Sequence, residues 1–243
     1  MRFYAELNGF VEPGRRYRDS EIRFTVPVTV KDVIESLGVP HTEVDLVLID
    51  GDPAPFSRLL TGGERVSVYP VFESFDIGPV SRVRPEPLRR TRFLLDVHLG
   101  RLARYLRMLG FDSAWGSRHD DETLAAVAAR ERRILLTRDR GLLKRSAVTH
   151  GYFVRETSPR RQLGEVVQRF DLARAVKPFT RCLRCNAQLR PVAKVAVTAA
   201  LPESVRARHD EFLRCEGCGN VYWGGTHHAR MKKLVEEIRR TGR

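Results

Sequence analysis

The stretch FLLDVHLGRLARYLRMLGFD (93–112) decides how the fold is read. Its first three residues are apolar, a run of the length of a short buried strand, and Asp96 ends them. The apolar positions then recur at helical spacing. At about 100° per residue, Leu99, Leu102, Ala103, Leu106 and Leu109 share one face, and Arg101, Arg104 and Arg107 fall on the opposite side. Gly110 stops the helix.

Toward the C-terminus, DDETLAAVAARERRILLTRDRGLLKR (120–145) repeats the pattern. A helix with an acidic start leads into RILLT, a buried strand ending just before Arg138-Asp139. SPRRQLGEVVQRF (158–170) predicts another helix, with Ser158 as cap and Pro159 at its first position. Short apolar strands alternating with helices predict an α/β fold with a doubly wound parallel sheet. Toward the N-terminus, GPVSRVRPEPLRRTR (78–92) holds three prolines and five arginines and reads as a semi-extended linker. Before it lies a small α+β unit. MRFYAELNGF and EIRFTVPV alternate like strands, TVKDVIESLGVP predicts a helix capped by Thr29 and ended by Gly38, and VDLVLIDG and RVSVYPVF supply further strands. The expected boundaries are 1–77, a linker at 78–91, an α/β domain at 92–176 and a C-terminal module at 177–243.

The net charge is +13, and it is unevenly spread. Residues 1–79 carry 8 Lys/Arg against 13 Asp/Glu, whereas residues 80–243 carry 35 against 17. A basic excess confined to one region points to a polyanion such as nucleic acid. Genomic preference explains Arg over Lys, but not base over acid in one region alone. No run approaches the roughly 20 apolar residues that span a bilayer, and the N-terminus lacks a signal-peptide pattern, so no membrane association and a cytoplasmic location are expected.

Asp96 and Asp139 lie at or just beyond the C-terminal ends of buried strands, where open α/β sheets bind ligands. Asp120, Asp121 and Glu122 crowd the start of the second helix. Carboxylates gathered into one pocket would call for a hard divalent cation, Mg²⁺ or Mn²⁺. Each acid has a structural alternative, because Asp96, Asp120 or Asp121 would also cap a helix and Asp139 would also suit a turn. The cysteines form two pairs, Cys182-Leu-Arg-Cys185 and Cys215-Glu-Gly-Cys218, which use all four in the chain. Two such knuckles separated by a strand-rich segment predict a zinc ribbon with closed, structural ligation. Near them, Tyr222 and Trp223 would either stack nucleic-acid bases or pack the ribbon core.

FLLDVHLGRLARYLRMLGFD and the 120–145 stretch, together with RCLRCNAQL (181–189) and FLRCEGCGNVYWGGTHHARM (212–231), resemble the Mut-seven C-terminal ribonuclease family, a branch of the PIN-like nucleases. TVKDVIESLG and LTGGERVSVYP resemble ubiquitin-like β-grasp domains of the sulfur-carrier type. Gly62-Gly63 is internal here, which leaves an interaction or docking role that a protein partner would use and a nuclease expected to fold without residues 1–78. The ribonuclease resemblance implies RNA hydrolysis with Mg²⁺ or Mn²⁺ held by acidic residues. Carried over by position, it implies Asp96, Asp139 and Asp121 as catalytic metal ligands, with Asp120 and Glu122 as rivals for the helix-borne acid and a fourth acid unassigned. Arg101, Arg104 and Arg138 are the candidate phosphate contacts. RNA, including structured RNA such as tRNA, is the expected substrate; a non-catalytic RNA-binding protein and a DNA nuclease are the alternatives.

Overall fold

In chain order the elements of the first half are β1 (Arg2–Phe3), β2 (Val28–Thr29), α1 (Val30–Ser36), β3 (Val44–Ile49), β4 (Asp52–Pro53), β5 (Leu59–Leu60) and β6 (Val66–Pro70). Then follow β7 (Arg92–Leu95), α2 (Gly100–Met108), β8 (Asp112–Trp115), α3 (Asp121–Glu131), β9 (Ile134–Thr137), α4 (Arg140–Lys144), β10 (Gly151–Phe153) and α5 (Pro159–Arg169). The last are β11 (Leu189–Val192), α6 (Glu203–Arg206), β12 (Phe212–Cys215), β13 (Val221–Trp223) and α7 (Thr226–Thr241). The structure, a computed structural model, describes residues 1–70, 81–83, 91–115 and 119–241. Of the expected linker, residues 78–80 and 84–90 lie outside the described residues. The chain forms two compact units, Met1–Arg90 with His119–Phe153 and Thr91–Arg118 with Val154–Arg243.

In the first unit, one four-stranded sheet has the order β1-β6-β3-β4, with β1 parallel to β6 and β3 antiparallel to it. Thr29 caps α1 as expected, its side chain accepting from the Asp32 N–H, and Gly38 follows the helix with φ of +99°. Val30, Val33 and Ile34 of α1 join Phe3, Val44, Val47, Val66 and Val68 in one core. The expected N-terminal strands are much shorter than their alternation suggested. Only Arg2–Phe3 and Val28–Thr29 form strands there, and beyond the first of them a buried side chain binds the backbone. Asn8 Nδ2 donates to the carbonyls of Phe3 and Ala5, and its Oδ1 accepts from the Tyr17 N–H at 2.7 Å.

The same unit contains α3, α4 and the parallel pair β9–β10. The N-terminal sheet contacts these elements directly within this unit. Phe153 packs against its core and edge-on to Phe10, and Arg140 lies over both rings. The buried Glu43 accepts from the Phe153 N–H at 2.6 Å. His41 bridges Glu35 and the Val148 carbonyl, and Lys144 Nζ donates to the Glu35 carbonyl.

In the second unit, β7 and β8 run parallel. All five apolar positions predicted for the helix face, Leu99 through Leu109, are buried. Arg101 and Arg104 are exposed as expected, but Arg107 is buried. Its Nε donates to the Ser113 carbonyl and its NH1 to those of Leu183 and Arg184, so three carbonyls replace the water a guanidinium ordinarily requires. Burial holds the Arg107 guanidinium below its usual pKa, an effect that nearby Cys182 and Cys185 oppose. Gly110 has φ of +96°, and a Cβ there would sit 2.1 Å from the Lys177 carbonyl oxygen, so only glycine fits. The C-terminal module is a three-stranded antiparallel sheet, β11-β12-β13, followed by α7. The architecture is mixed α/β, with parallel strands and helices in the middle of the sequence and a cysteine-bearing module toward its C-terminal end.

Candidate functional site

The cysteine centre assembles from two tight turns. Cys185 N–H points to Cys182 Sγ at 3.5 Å, and Gly217 and Cys218 N–H point to Cys215 Sγ at 3.3 and 3.4 Å. The four Sγ atoms all lie within 4.8 Å of one another. The Cys182–Cys218 and Cys185–Cys215 separations of 3.7 and 3.3 Å are far from a disulfide bond of about 2.05 Å. A tetrahedral ion with Zn–S bonds of about 2.3 Å separates its sulfurs by about 3.8 Å, so the donor set fits such an ion. Burial pushes the Cys182 thiol up, but hydrogen bonds from Tyr222 and from the Cys185 and Arg184 N–H groups outweigh it and bring the thiol down to about 6. Burial and the neighbouring sulfurs push Cys185 up to about 12. Four crowded thiols do not all ionise unaided, and a dication removes that conflict. Tyr222 Oη lies 3.1 Å from Cys182 Sγ, and Trp223 packs against the small core of Val197, Leu201 and Phe212. Both aromatics therefore serve the ribbon's own packing. His228 is edge-on to Phe179 and held below its usual pKa by burial, while His227 is exposed.

The aspartates are arranged differently. Asp96, 5% exposed, ends β7, and its Oδ1 accepts from the His98 N–H at 2.9 Å. Asp139 caps α4, its Oδ1 accepting from Gly141 and Leu142 N–H at 2.6 and 3.3 Å. Asp120 caps α3 by accepting from the Thr123 N–H at 2.8 Å, and that contact holds its carboxyl below the usual range. Asp121 and Glu122 open the same helix, and their side chains bond to no described residue. Asp96 belongs to one unit, and Asp121 and Asp139 to the other. Among the described residues, the cysteines are the one group of three or more Cys, His, Asp or Glu with ligand atoms gathered closely enough for a single ion.

Directly after Asp96 the chain enters a cleft of about 380 Å³ whose lining includes His98, Arg101, Arg104, Trp115 and Gln162. Arg101 and Arg104 have no hydrogen bond or ion pair with any described residue. Arg138 is exposed beside Asp139. Trp115 and Gln162 carry no motif that marks them in the sequence; a lone Trp after a strand does not reveal which way it points. Among the described residues, no helix is long and apolar enough to cross a membrane.

Residues 91–235 match the Mut7-C RNAse domain, and residues 1–76 match the Mut7-C ubiquitin domain. No curated protein and no solved structure matches. With well over half of its length matched by the nuclease model, the chain belongs to the Mut7-C RNAse domain family and carries that family's ubiquitin-like domain in front.

Proposed function

We propose that this protein is a metal-dependent ribonuclease that hydrolyses RNA phosphodiester bonds in the cytoplasm. Asp96, Asp121 and Asp139 hold Mg²⁺ or Mn²⁺, Arg101, Arg104 and Arg138 contact phosphate, and Cys182, Cys185, Cys215 and Cys218 hold a structural zinc. The observation that carries the reading is Asp96. It is a buried carboxylate at the end of a parallel strand, and it leads straight into a cleft inside the matched nuclease region with two arginines that pair with no described residue. Hard carboxylate oxygens suit Mg²⁺ or Mn²⁺, which when bound activate water and stabilise charge developing on the phosphate. The arginines hold the substrate backbone and carry the salt dependence of binding. Four thiolates leave no open position for substrate, so the zinc is structural, and unpaired thiols suit a reducing compartment. Exposed Tyr17 and Val26 on the ubiquitin-like domain suit a protein partner. A structured RNA such as tRNA is the first substrate to try, with DNA as the control.

The caps favour one rival, a non-catalytic RNA-binding protein in which the aspartates only fix helix starts. Asp96→Asn separates the two, because Asn caps as well as Asp while losing the charge. As a nuclease, the variant should keep its melting temperature and lose Mn²⁺-dependent cleavage on the order of 100-fold or more. Cleavage at the wild-type rate would sink the nuclease reading.

A further inference from the structure

The cleft beside Asp96 contains more than a phosphate contact needs. Trp115, at the end of β8, is 40% exposed, yet its orientation is fixed. Its Nε1 donates to the Asp96 carbonyl at 3.0 Å and to that of Val97 at 3.3 Å. Beneath the ring lies Gly100, where a Cβ would come 2.7 Å from Cζ2 and 2.9 Å from Cε2. The glycine lets the indole seat its Nε1 edge on the Asp96–Gly100 turn and leaves ring surface open at the cleft. An exposed indole held rigid in this way is a stacking platform.

The rest of the lining is complementary to one nucleotide. Arg101 and Arg104 offer two guanidinium groups with no partner among the described residues, and the described lining contains no carboxylate. Gln162 is 5% exposed, and its Nε2 is tied to the Glu156 carbonyl at 3.0 Å. Its Oε1 has no hydrogen bond to any described residue, which leaves an acceptor for an N–H or O–H of a ligand. Pro159, first in α5, also lines the cleft, and the Ser158 side chain makes no cap there, so the positive end of an 11-residue helix is open to an anion. The volume of about 380 Å³ falls in the range of roughly 300–1,000 Å³ of small-molecule sites.

We propose that this cleft binds one nucleotide of single-stranded RNA, its base stacked on Trp115 and its phosphate held by Arg101 and Arg104, next to the Asp96 turn. The subsite rests on the reading of RNA as substrate but not on any role of Asp96 in cleavage. Its test therefore measures binding with the full chain and no added divalent ion, using a 5′-phosphorylated oligoadenylate of five nucleotides. The oligonucleotide should quench tryptophan fluorescence in the wild type, and that quench should vanish in Trp115→Phe, which retains Trp223. Trp115→Leu should bind about tenfold or more weakly at unchanged melting temperature, and Trp115→Phe should recover part of that loss. Arg104→Gln should weaken binding and reduce the salt dependence by about one phosphate contact. Wild-type affinity in Trp115→Leu overturns the proposal. So does inorganic phosphate binding as tightly as the oligonucleotide, which would make the cleft an anion site without base recognition. A subsite that fails while Asp96→Asn still abolishes cleavage leaves the nuclease reading standing, and the converse holds equally.

Discussion

The cysteine centre and the strand-end aspartates are both candidate metal sites, yet their side chains have different local duties. Each CxxC turn folds its own backbone N–H groups onto a sulfur, and four sulfurs then meet within 4.8 Å. No other task explains four thiols crowded against one another. Asp96, Asp120 and Asp139 each satisfy orphan N–H groups at a helix or turn start before any ligand is considered. A gathered thiol set is therefore informative by its geometry, whereas an aspartate that caps has to be judged by chemistry.

The largest expected effect falls on the thiol side. Structural zinc in small modules is worth about 10–16 kcal/mol of folding free energy. Cys215→Ser should abolish zinc binding and unfold β11–β13, read as loss of zinc by elemental analysis and of amide-exchange protection in that sheet. Protein purified without chelators that holds no zinc would break the comparison at its stronger end.

On the aspartate side, the next effect concerns how Asp139 is held. The helix it caps is tied to the ubiquitin-like domain through Arg140, which lies over Phe10 and Phe153, and through Lys144 on Glu35. Deleting residues 1–78 strips that cover from Phe153, Val148 and Arg140. The truncated chain should be poorly soluble or lose protection in α4 and β10 by hydrogen exchange. A truncation as stable and active as the full chain would show these contacts to be dispensable for the nuclease.

What the sequence made legible follows the same division. Periodicity located the buried face of α2, because apolar burial has the helical period, and the CxxC pairs located the thiol centre because their ligands are local. Arg107 lies opposite the apolar face on the helical wheel and is buried nonetheless, since its three carbonyl partners come from β8 and from the Leu183-Arg184 turn far along the chain. The alternation of the first ten residues hides a break of the same kind, as nothing in it announces that Asn8 will bond the backbone of Phe3, Ala5 and Tyr17. Trp115 gave no signal because its role depends on Gly100 lying under the ring.

A smaller effect tests how the thiol turn is fastened. Arg107→Met keeps much of the buried stem but leaves the carbonyls of Ser113, Leu183 and Arg184 without their donor. A loss of about 3 kcal/mol is expected, as for unsatisfied buried acceptors. Denaturant unfolding measures it, and zinc content should stay at the wild-type level because all four thiols remain. Zinc lost together with stability would mean that the knuckle needs this guanidinium to form.

The smallest effect compares two neighbouring acids. Asp120 is engaged by the Thr123 N–H, whereas the Asp121 carboxylate bonds to no described residue. Asp120→Ala should lower the melting temperature slightly and leave cleavage intact. Its pH dependence has a definite sign. The folded-state pKa of Asp120 is depressed, so its contribution is fully present above the unfolded value of about 3.9 and fades as pH falls through the folded one. Wild type and Asp120→Ala should accordingly converge in stability as the solution is made strongly acidic and differ most near neutrality. Asp121→Ala should do the opposite, with stability nearly unchanged and metal-dependent cleavage strongly reduced. If Asp120→Ala removes cleavage and Asp121→Ala does not, the cap is itself the ligand. Asp120 would then serve helix and metal through its two oxygens, as proposed for Asp96 and Asp139, and the helix-borne ligand would be the acid that caps and not its unengaged neighbour.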